Sequence, residues 1–360
     1  MRLIWIELRD FRNHRETRLE VPAGLVVAVG GNGEGKTNLL EAMYYLLSLT
    51  SPRSATDLPV IRHGASKGYV RGEVEHAQGR TLIEVEIRSV GANRMQVNRQ
   101  TVRRRRDVRR LVRGVFFGPD DLRIVIGEPE ARRSFMNEAV VALWPLREAE
   151  ARAYDKALRQ RNRLLKEWDG PGAPPELDAW DAELVKTGSA LTRSRAEAVE
   201  LLRTEASEEF GELAGYPLQV EYRPSVWGDP LEDAFHVRLG ERRADELVRR
   251  TTLAGPHRDE LELSVRDLKA RGFASHGEAW AAALALRLGL AGAVTKELRE
   301  PPVLLLDDPF SALDPERQRR ISDRFHDRGQ VVISVADEAY IPKDPATVWD
   351  VENGKVMERI

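Results

Sequence analysis

The segment GGNGEGKT at residues 30–37 has the spacing G-x-x-x-x-G-K-[ST] of a phosphate-binding loop. It follows an apolar run at residues 25–29 and opens a helical pattern, which is the context that this loop requires. Its glycines let backbone N–H groups converge on phosphate oxygens, and the helix N-terminus adds its dipole. We therefore predict a nucleotide site in which Lys36 bridges the β- and γ-phosphates and Thr37 binds Mg²⁺. The predicted nucleotide contacts here are Gly30, Gly31, Asn32, Gly33, Glu34, Gly35, Lys36, Thr37 and Asn38.

Two successive carboxylates, Asp307 and Asp308, follow a second apolar run at residues 303–306. A buried strand that ends in an acid beside the loop is how P-loop ATPases hold Mg²⁺. We assign the metal to Asp307 and predict that Asp308 orients or deprotonates the attacking water. Without the phosphate-binding loop, the same residues would indicate a buried strand that ends in a solvated turn.

Ser275 and Gly277 stand just before an alanine-rich helical run, and the tetrapeptide SALD at residues 311–314 follows the two carboxylates. A serine and a glycine at a helix N-terminus can form a second phosphate cradle, although Ser-x-Gly-Glu is also ordinary N-cap chemistry. The order of the four segments along the chain indicates an ATPase more strongly than any one of them.

We predict that an α/β body positions these groups, and that both ends of the chain contribute to this body. Residues 2–118 show mostly strand patterns, with one helix at residues 36–48. Charged amphipathic runs at residues 128–168 and 176–209 flank the breaker DGPGAPP and predict an antiparallel helical hairpin, an inserted arm. The next predicted elements are strands at 218–222 and 235–239, a helix at 241–250, helices at about 278–299 and 314–327, and strands at 303–306 and 331–335.

Composition excludes several classes of protein. The 360 residues contain no cysteine, which removes disulfides, thiolate catalysis and cysteine-ligated metal sites. The first residues carry no secretory signal, and the longest nearly apolar segment, residues 279–294, is too short for a membrane span and contains Arg287. We therefore expect a soluble, cytoplasmic protein. Its net charge of −2 requires that any nucleic-acid contact use a local patch.

Residues 94–113 form such a patch, because they contain nine arginines and a single acid, Asp107. This net charge of +8 could neutralise several phosphates without reading sequence. The alternative is a solvated face in a chain that is rich in arginine throughout. Arg159, Arg161, Arg163 and Lys166 of the arm form a second candidate, in which acids are interleaved. The predicted DNA contacts are Arg103, Arg104, Arg105, Arg106, Arg109 and Arg110.

Over essentially its whole length, the chain resembles the RecF family, which belongs to the SMC-like branch of ABC-type ATPases. The matching segments are FRN at residues 11–13, the phosphate-binding loop, IRHG at 61–64, FFGPDDL at 116–122, GEPEARR at 127–133, GPHRDEL at 255–261 and LLLDDPFSALD at 304–314. The loop and the acidic strand are common to many ATPases, whereas FFGPDDL and GPHRDEL are far more specific.

The resemblance implies a P-loop ABC-type ATPase domain at residues 1–118 and 255–360, with a helical arm domain at 119–254. It also implies that ATP joins two identical subunits, because Ser275 and Gly277 of one act catalytically, with Lys36 and Asp308, on ATP held by the other. Arg12 and Asn13 would lie near the nucleotide. RecF-like proteins form an ATP-gated clamp on double-stranded DNA near gaps and act with RecR and RecO to favour loading of RecA.

Three positions depart from the pattern of related ATPases. His276 replaces the usual glutamine after the signature serine, residues 333–337 lack the histidine of transporter ATPases, and no glutamine follows the strand at residues 114–117. The alternatives are the nucleotide-binding subunit of a membrane transporter and a P-loop kinase of a small metabolite. The first would need a membrane partner, that histidine and that glutamine, and the second would need neither the signature serine nor the arm.

Overall fold

Alternating and continuous apolar runs produce strands and helices throughout residues 1–359, the part of the chain that our computed structural model describes. The strands are β1 (Arg2–Phe11), β2 (His14–Glu20), β3 (Leu25–Val29), β4 (Lys67–His76), β5 (Gly79–Arg88), β6 (Arg94–Val97), β7 (Gln100–Val102), β8 (Gly114–Phe117), β9 (Leu218–Arg223), β10 (Glu260–Val265), β11 (Leu268–Lys269), β12 (Val303–Asp307), β13 (Val331–Val335), β14 (Thr347–Glu352) and β15 (Lys355–Glu358). The helices are α1 (Lys36–Ser48), α2 (Arg105–Arg109), α3 (Leu122–Ile126), α4 (Pro129–Leu143), α5 (Glu148–Glu167), α6 (Leu177–Ala214), α7 (Leu231–Arg249), α8 (Ala270–Phe273), α9 (His276–Leu298) and α10 (Pro315–Phe325).

The chain divides into two compact units. Unit 1 contains residues 1–122, 204–218 and those from 273 onward, and unit 2 contains residues 123–203 and 219–272. These bounds differ from those of the predicted domains, because residues 204–218 pack with unit 1 and residues 255–272 pack with unit 2. The assignment of an ATPase domain and an arm domain stays a prediction.

Unit 1 contains two six-stranded sheets. One is antiparallel, in the order β2-β1-β4-β5-β6-β7, and β5 shows the alternating burial of a sheet with one covered face. The other has the order β15-β14-β3-β13-β12-β8, in which the five strands from β14 to β8 run parallel. Every residue of β3, β12 and β13 is buried, which explains their continuous apolar runs.

The position of α1 and the direction of the parallel strands define the site. Helix α1 contacts strands of both sheets and is buried on nearly its whole circumference. The carboxyl ends of β3 and β12 lie at one sheet edge, so the phosphate-binding loop and Asp307 come together there. The predicted helix at 36–48 and the strands at 303–306 and 331–335 are confirmed, with β12 extended by one residue.

Helix α9 is the one described helix that is long and apolar enough to cross a membrane. Within the structure, 83% of its apolar window is buried. It is therefore a core helix of unit 1, and its apolar composition reflects packing against the neighbouring elements.

Unit 2 is mainly helical and contains the three-stranded sheet β11-β10-β9. Side chains of α5 and α6 pair in antiparallel order, as Glu150 with Ser194 and Arg161 with Asp181 show, so the predicted hairpin is confirmed. The first predicted helical run was wrong in its continuity, because Trp144 and Pro145 separate α4 from α5.

The predicted strand at residues 235–239 was also wrong, because these residues lie inside α7. Phe235, Leu239 and Glu246 are buried at helical spacing, and Phe235 and Leu239 pack against Tyr154 of α5. The short segment alternates in polarity like a strand, and only the longer window shows the period of a helix.

Candidate nucleotide-binding site

The phosphate-binding loop has the backbone that its glycines permit. Gly35 has a φ of 116°, and a Cβ at this position would lie 2.6 Å from Nδ2 of Asn13. Asn13 Nδ2 donates to the Glu34 carbonyl oxygen at 3.1 Å, and Asn38 Nδ2 donates to Asn13 Oδ1 at 2.8 Å. Asn13, which lies in the turn between β1 and β2, therefore holds the loop in place through these hydrogen bonds.

Lys36 folds back over the loop. Its side chain is 7% exposed, and Nζ donates to the carbonyl oxygens of Gly30 and Gly31 at 2.6 and 2.8 Å. Burial lowers the pKa of Lys36, while nearby carboxylates, Asp307 first, act in the opposite direction. The ammonium group therefore lies against the loop backbone, and its contact with phosphate stays a prediction.

Thr37 and Asp307, the two predicted metal ligands, are in direct contact. Thr37 Oγ1 donates to Oδ1 and Oδ2 of Asp307 at 2.9 and 2.8 Å. Asp307 is 4% exposed, and burial raises its pKa. The hydrogen bonds from Ser334 and Thr37 act in the opposite direction, but their effect is smaller. A hydroxyl and a carboxylate fit Mg²⁺, which typically takes one or two carboxylates, waters and phosphate oxygens. Within residues 1–359 no group of three or more acids, histidines or cysteines could hold a metal, so phosphate and water would complete this site.

Asp308 has a different environment from Asp307. It is half-buried and its φ is 50°, and its backbone N–H donates to Ser334 Oγ at 3.0 Å. Burial raises the pKa of Asp308, and the neighbouring Asp307 raises it further. Ser334 Oγ also donates to Asp307 Oδ1 at 2.6 Å, so one buried hydroxyl on β13 fixes the Asp307 carboxylate and the backbone of Asp308.

Glu41 organises the second side of the site, and the sequence interpretation missed it. It is fully buried in α1 and accepts two hydrogen bonds from Arg12, at 2.9 and 2.7 Å. Ser51 Oγ donates to Glu41 at 2.5 Å, and Arg53 lies 3.4 Å from it. The signal was a single acid within the apolar stretch LLEAMYYLL, and that acid requires a cation because a buried charge needs a partner.

A cleft of about 1120 Å³ opens beside the loop. Its lining includes Arg12 and Asn13, which were predicted to lie near the nucleotide, together with Arg53, Arg62 and His63. A smaller cavity of about 230 Å³ is lined by Thr37, Asp307, Arg53 and the loop after β8. The arginines give the cleft the charge that a polyphosphate would require.

The segment FFGPDDL has a structural role at this edge of the sheet. Its Asp121 accepts two hydrogen bonds from Arg287 of α9, at 3.0 and 2.7 Å, and a third from the Gly118 N–H. This buried pair ties the loop after β8 to the helix that begins at the signature serine.

Ser275 and Gly277 begin helix α9 on an exposed part of unit 1. Ser275 is the N-cap residue, and its Oγ donates to Oε2 of Glu278 at 2.8 Å and accepts from the Glu278 N–H at 3.3 Å. His276 is exposed and lies against Trp280, with ring centroids 6.4 Å apart. Asp314 of the SALD segment is the N-cap of α10 and accepts from two backbone N–H groups.

The six arginines predicted to contact DNA fall into two groups. Arg103, Arg104 and Arg110 are exposed, and Arg106 is partly exposed. Arg109 is buried and donates to the Ser48 carbonyl oxygen, and Arg105 forms an ion pair with Asp57 at 2.5 Å. Arg109 is thus unavailable to DNA, because its guanidinium is committed to the interior.

Arg161, part of the second basic candidate, is unavailable for the same reason. It is fully buried in unit 2, and its guanidinium donates to Asp181 and to Glu246, both at 2.7 Å. The spacing of charges along α5 does not reveal which of them points inward.

The segments GEPEARR and GPHRDEL meet in unit 2. Arg132 forms a two-pronged ion pair with Glu260, at 2.5 and 2.9 Å. Asp259 is buried and accepts hydrogen bonds from Arg195 and Tyr222. His257 contacts Tyr154, and burial lowers the pKa of His257 to about 4.

Comparison with known proteins agrees with this geometry. The family described as RecF/RecN/SMC N terminal domain matches residues 2–352. The DNA replication and repair protein RecF of Frankia alni is 40% identical over 376 aligned positions, which cover 99% of both chains. The protein of the same name from Streptomyces avermitilis is 37% identical over 375 positions, which cover 100% of both chains.

Solved structures show the same fold. The recombination mediator protein RecF with ATP, of the RecFOR pathway, matches with a TM-score of 0.91 at 26% identity, over 99% of this chain and 97% of that one. The Smc head domain of Pyrococcus furiosus, bound to the C-terminal domain of ScpA, matches with a TM-score of 0.58 at 15% identity, over 99% and 96% of the two chains. These matches confirm the predicted P-loop ABC-type ATPase fold and do not favour a transporter subunit. The chain belongs to the RecF/RecN/SMC family and, within it, to the RecF proteins of DNA replication and repair, which are ABC-type ATPases.

Proposed function

We propose that this protein is a clamp whose two identical subunits are joined by ATP on double-stranded DNA near single-strand gaps. The observation that carries the proposal is the separation of the site into two kinds of surface. Lys36, Thr37 and Asp307 are gathered around the loop, whereas Ser275 is exposed and bonds to Glu278 of its own helix. An exposed signature serine is free to meet the nucleotide of a second subunit.

The residues around the loop would divide the chemistry of ATP hydrolysis between them. Lys36 and the loop N–H groups bind the phosphates, and Thr37 and Asp307 would hold Mg²⁺, which supplies positive charge to the phosphate oxygens. Asp308, whose pKa is raised by burial, would orient the attacking water or take its proton. Ser275 and Gly277 of the partner would complete the γ-phosphate site.

DNA contact is assigned to the exposed members of the basic stretch. Arg103, Arg104, Arg106 and Arg110 keep their guanidinium groups partly or fully in solvent. Such groups bind the phosphate backbone of any duplex, because backbone contacts carry no base information.

The partners of the proposed clamp follow from its relatives. A solved RecF structure is described as a recombination mediator of the RecFOR pathway. We infer that this chain also acts with RecO and RecR, that it favours RecA loading at gaps, and that it works in the cytoplasm at the nucleoid.

Binding to gapped duplex with and without ATP tests the proposal. Wild-type protein should bind the gapped duplex much more tightly with ATP, and Lys36→Ala should bind equally weakly in both conditions. Equal affinity for DNA with and without ATP would contradict the proposed clamp, and so would the absence of any duplex binding.

A further inference from the structure

Tyr216 is linked to the signature serine through one shared carboxylate. The Tyr216 hydroxyl donates to Oε1 of Glu278. The other oxygen, Oε2, accepts from the backbone N–H of Ser275 at 2.9 Å and from its hydroxyl at 2.8 Å. All three residues belong to unit 1, so the chain of hydrogen bonds lies within one compact body.

The carboxylate of Glu278 determines how the Ser275 hydroxyl points. Glu278 is a long side chain that loses considerable rotamer freedom when it is fixed in one position. One of its oxygens, Oε2, is bonded to Ser275, and the other, Oε1, accepts from the Tyr216 hydroxyl. Hydrogen bonds to an ionised carboxylate are about twice as strong as neutral ones, so this contact can hold Glu278 in place.

Tyr216 is itself held firmly. Its ring packs edge-on against Phe210, with centroids 5.6 Å apart. The preceding part of α6 is tied to α10 through Glu209, which accepts from Arg324 at 3.4 Å, and it is tied to α9 through the close approach of Gly289 to Ala206. A Cβ at Gly289 would lie 2.6 Å from the Ala206 nitrogen, so these helices are in backbone contact.

We propose that Tyr216 is a positioning residue, which acts through Glu278 to hold the Ser275 side chain at the start of α9, where its hydroxyl can turn from Glu278 and donate to a nucleotide bound to a second subunit. This inference rests on the proposed function, because it assumes that Ser275 acts across the subunit interface. The effect of Tyr216 passes to the nucleotide through Glu278 and the serine.

Sedimentation with and without ATP, at several protein concentrations, tests the inference on the full chain. Tyr216→Phe keeps the ring against Phe210 and removes only the hydroxyl. We expect the protein concentration for half-maximal ATP-dependent association to rise about 10-fold or more, which is the effect of losing a hydrogen bond to a charged group. ATP affinity of isolated subunits should not change, because the loop and Lys36 are untouched.

Tyr222→Phe is the matched control. Tyr222 also donates to a carboxylate, that of Asp259, but it lies in unit 2. It should associate like wild type. A fall in association of equal size in both variants would mean that the loss of any such hydroxyl weakens the protein, and it would overturn the inference.

A double variant separates positioning from a general structural role. If Tyr216 acts through Ser275, the pair Ser275→Ala and Tyr216→Phe should associate no more weakly than Ser275→Ala alone. Multiplied effects, or normal association of Tyr216→Phe, would overturn the inference. Normal association of Ser275→Ala would instead refute the composite site of the proposed function, and the role of Tyr216 would fall with it.

Discussion

Asp307 and Asp308 are adjacent in sequence, but their surroundings separate their roles. Both oxygens of Asp307 accept hydrogen bonds from Thr37, and Ser334 donates to one of them, so this carboxylate is fixed beside the loop. The carboxyl of Asp308 is half-buried, and its raised pKa reflects burial first and Asp307 second. Pairs of carboxyls with different environments commonly divide binding from proton transfer.

Substitution of each charged group should therefore have a distinct effect on the nucleotide. Lys36→Ala should lose ATP binding, because the ammonium group over the loop is removed. Asp308→Asn should bind ATP and hydrolyse it about 100-fold more slowly, which is a typical loss for a general base. Equilibrium binding and steady-state hydrolysis measure the two effects, and normal hydrolysis by both variants would refute the assignment of the site.

His257 should make the fold sensitive to mild acid. Burial, and after it nearby arginines, lower its pKa from 6.5 to about 4. Between these two pH values, His257 is protonated in the unfolded chain but stays neutral in the folded protein. Stability is therefore lost as pH falls below 6.5, and the contribution of this group at pH 5 is about 2 kcal/mol relative to pH 7.

Urea unfolding at pH 7 and pH 5 checks this prediction. His257→Gln should be less stable than wild type at pH 7, because the contacts with Tyr154 and Thr252 change. Its further loss of stability at pH 5 should be about 2 kcal/mol smaller than that of wild type. An equal loss in both proteins would show that His257 does not carry the effect.

At the scale of elements, the parallel strands and α1 could be predicted because their signals are local. A continuous apolar run, a glycine-rich loop and a helical pattern follow one another within about twenty residues at 25–48. The second half of α7 was predicted, as a helix at 241–250. Its first half was not, because the burial of Phe235 and Leu239 depends on α5, which is distant in sequence.

Site residues could be predicted where they belong to a known sequence motif. They could not be predicted where their role depends on contacts with residues that are distant in sequence. Lys36, Thr37 and Asp307 lie as predicted, since their spacing encodes the chemistry. Glu41 and Ser334 were missed because each is a single polar residue in an apolar run, and its partners come from other elements. The burial of Arg109 was missed for the same reason.

Ser334 joins two neighbouring strands of the parallel sheet at the site. Its hydroxyl donates to Asp307 and accepts from the Asp308 N–H, so Ser334→Ala leaves two buried polar groups with one partner fewer. We expect a loss of about 1–3 kcal/mol in the free energy of unfolding. Ser322→Ala is the control, since the Ser322 hydroxyl bonds only to the Gln318 carbonyl of its own helix. Equal urea midpoints for Ser334→Ala and wild type would contradict the bridging role.

At the scale of the whole molecule, a net charge of −2 makes DNA binding depend on the exposed arginines. Changing Arg103, Arg104, Arg106 and Arg110 to alanine should weaken binding to unrelated duplexes alike. The slope of log K against log salt should flatten by at most about 3.6, and by about 1–2 if some of the four point elsewhere. ATP binding should persist.

The matched control replaces four exposed arginines that already have acidic partners. These are Arg80, Arg152, Arg203 and Arg223. This variant changes the net charge by the same amount and should leave the salt slope of wild type nearly intact. Equal slopes for the two quadruple variants would mean that residues 94–113 form a solvated face that does not contact DNA.

The central claim is that each ATP site is built by two subunits, and a mixing experiment tests it most directly. Lys36→Ala spoils the loop of a subunit, and Ser275→Arg places a bulky cation where its signature serine must meet the γ-phosphate. Each variant alone has no intact site and should hydrolyse almost no ATP. In a mixed pair, the loop of the Ser275→Arg subunit faces the intact signature of the Lys36→Ala subunit, so one site of two is complete. An equimolar mixture should therefore hydrolyse ATP clearly faster than either variant alone, and at most at about half of the wild-type rate, since one site of two is complete in a mixed pair. A mixture that is no more active than the mean of its two components would contradict the composite site.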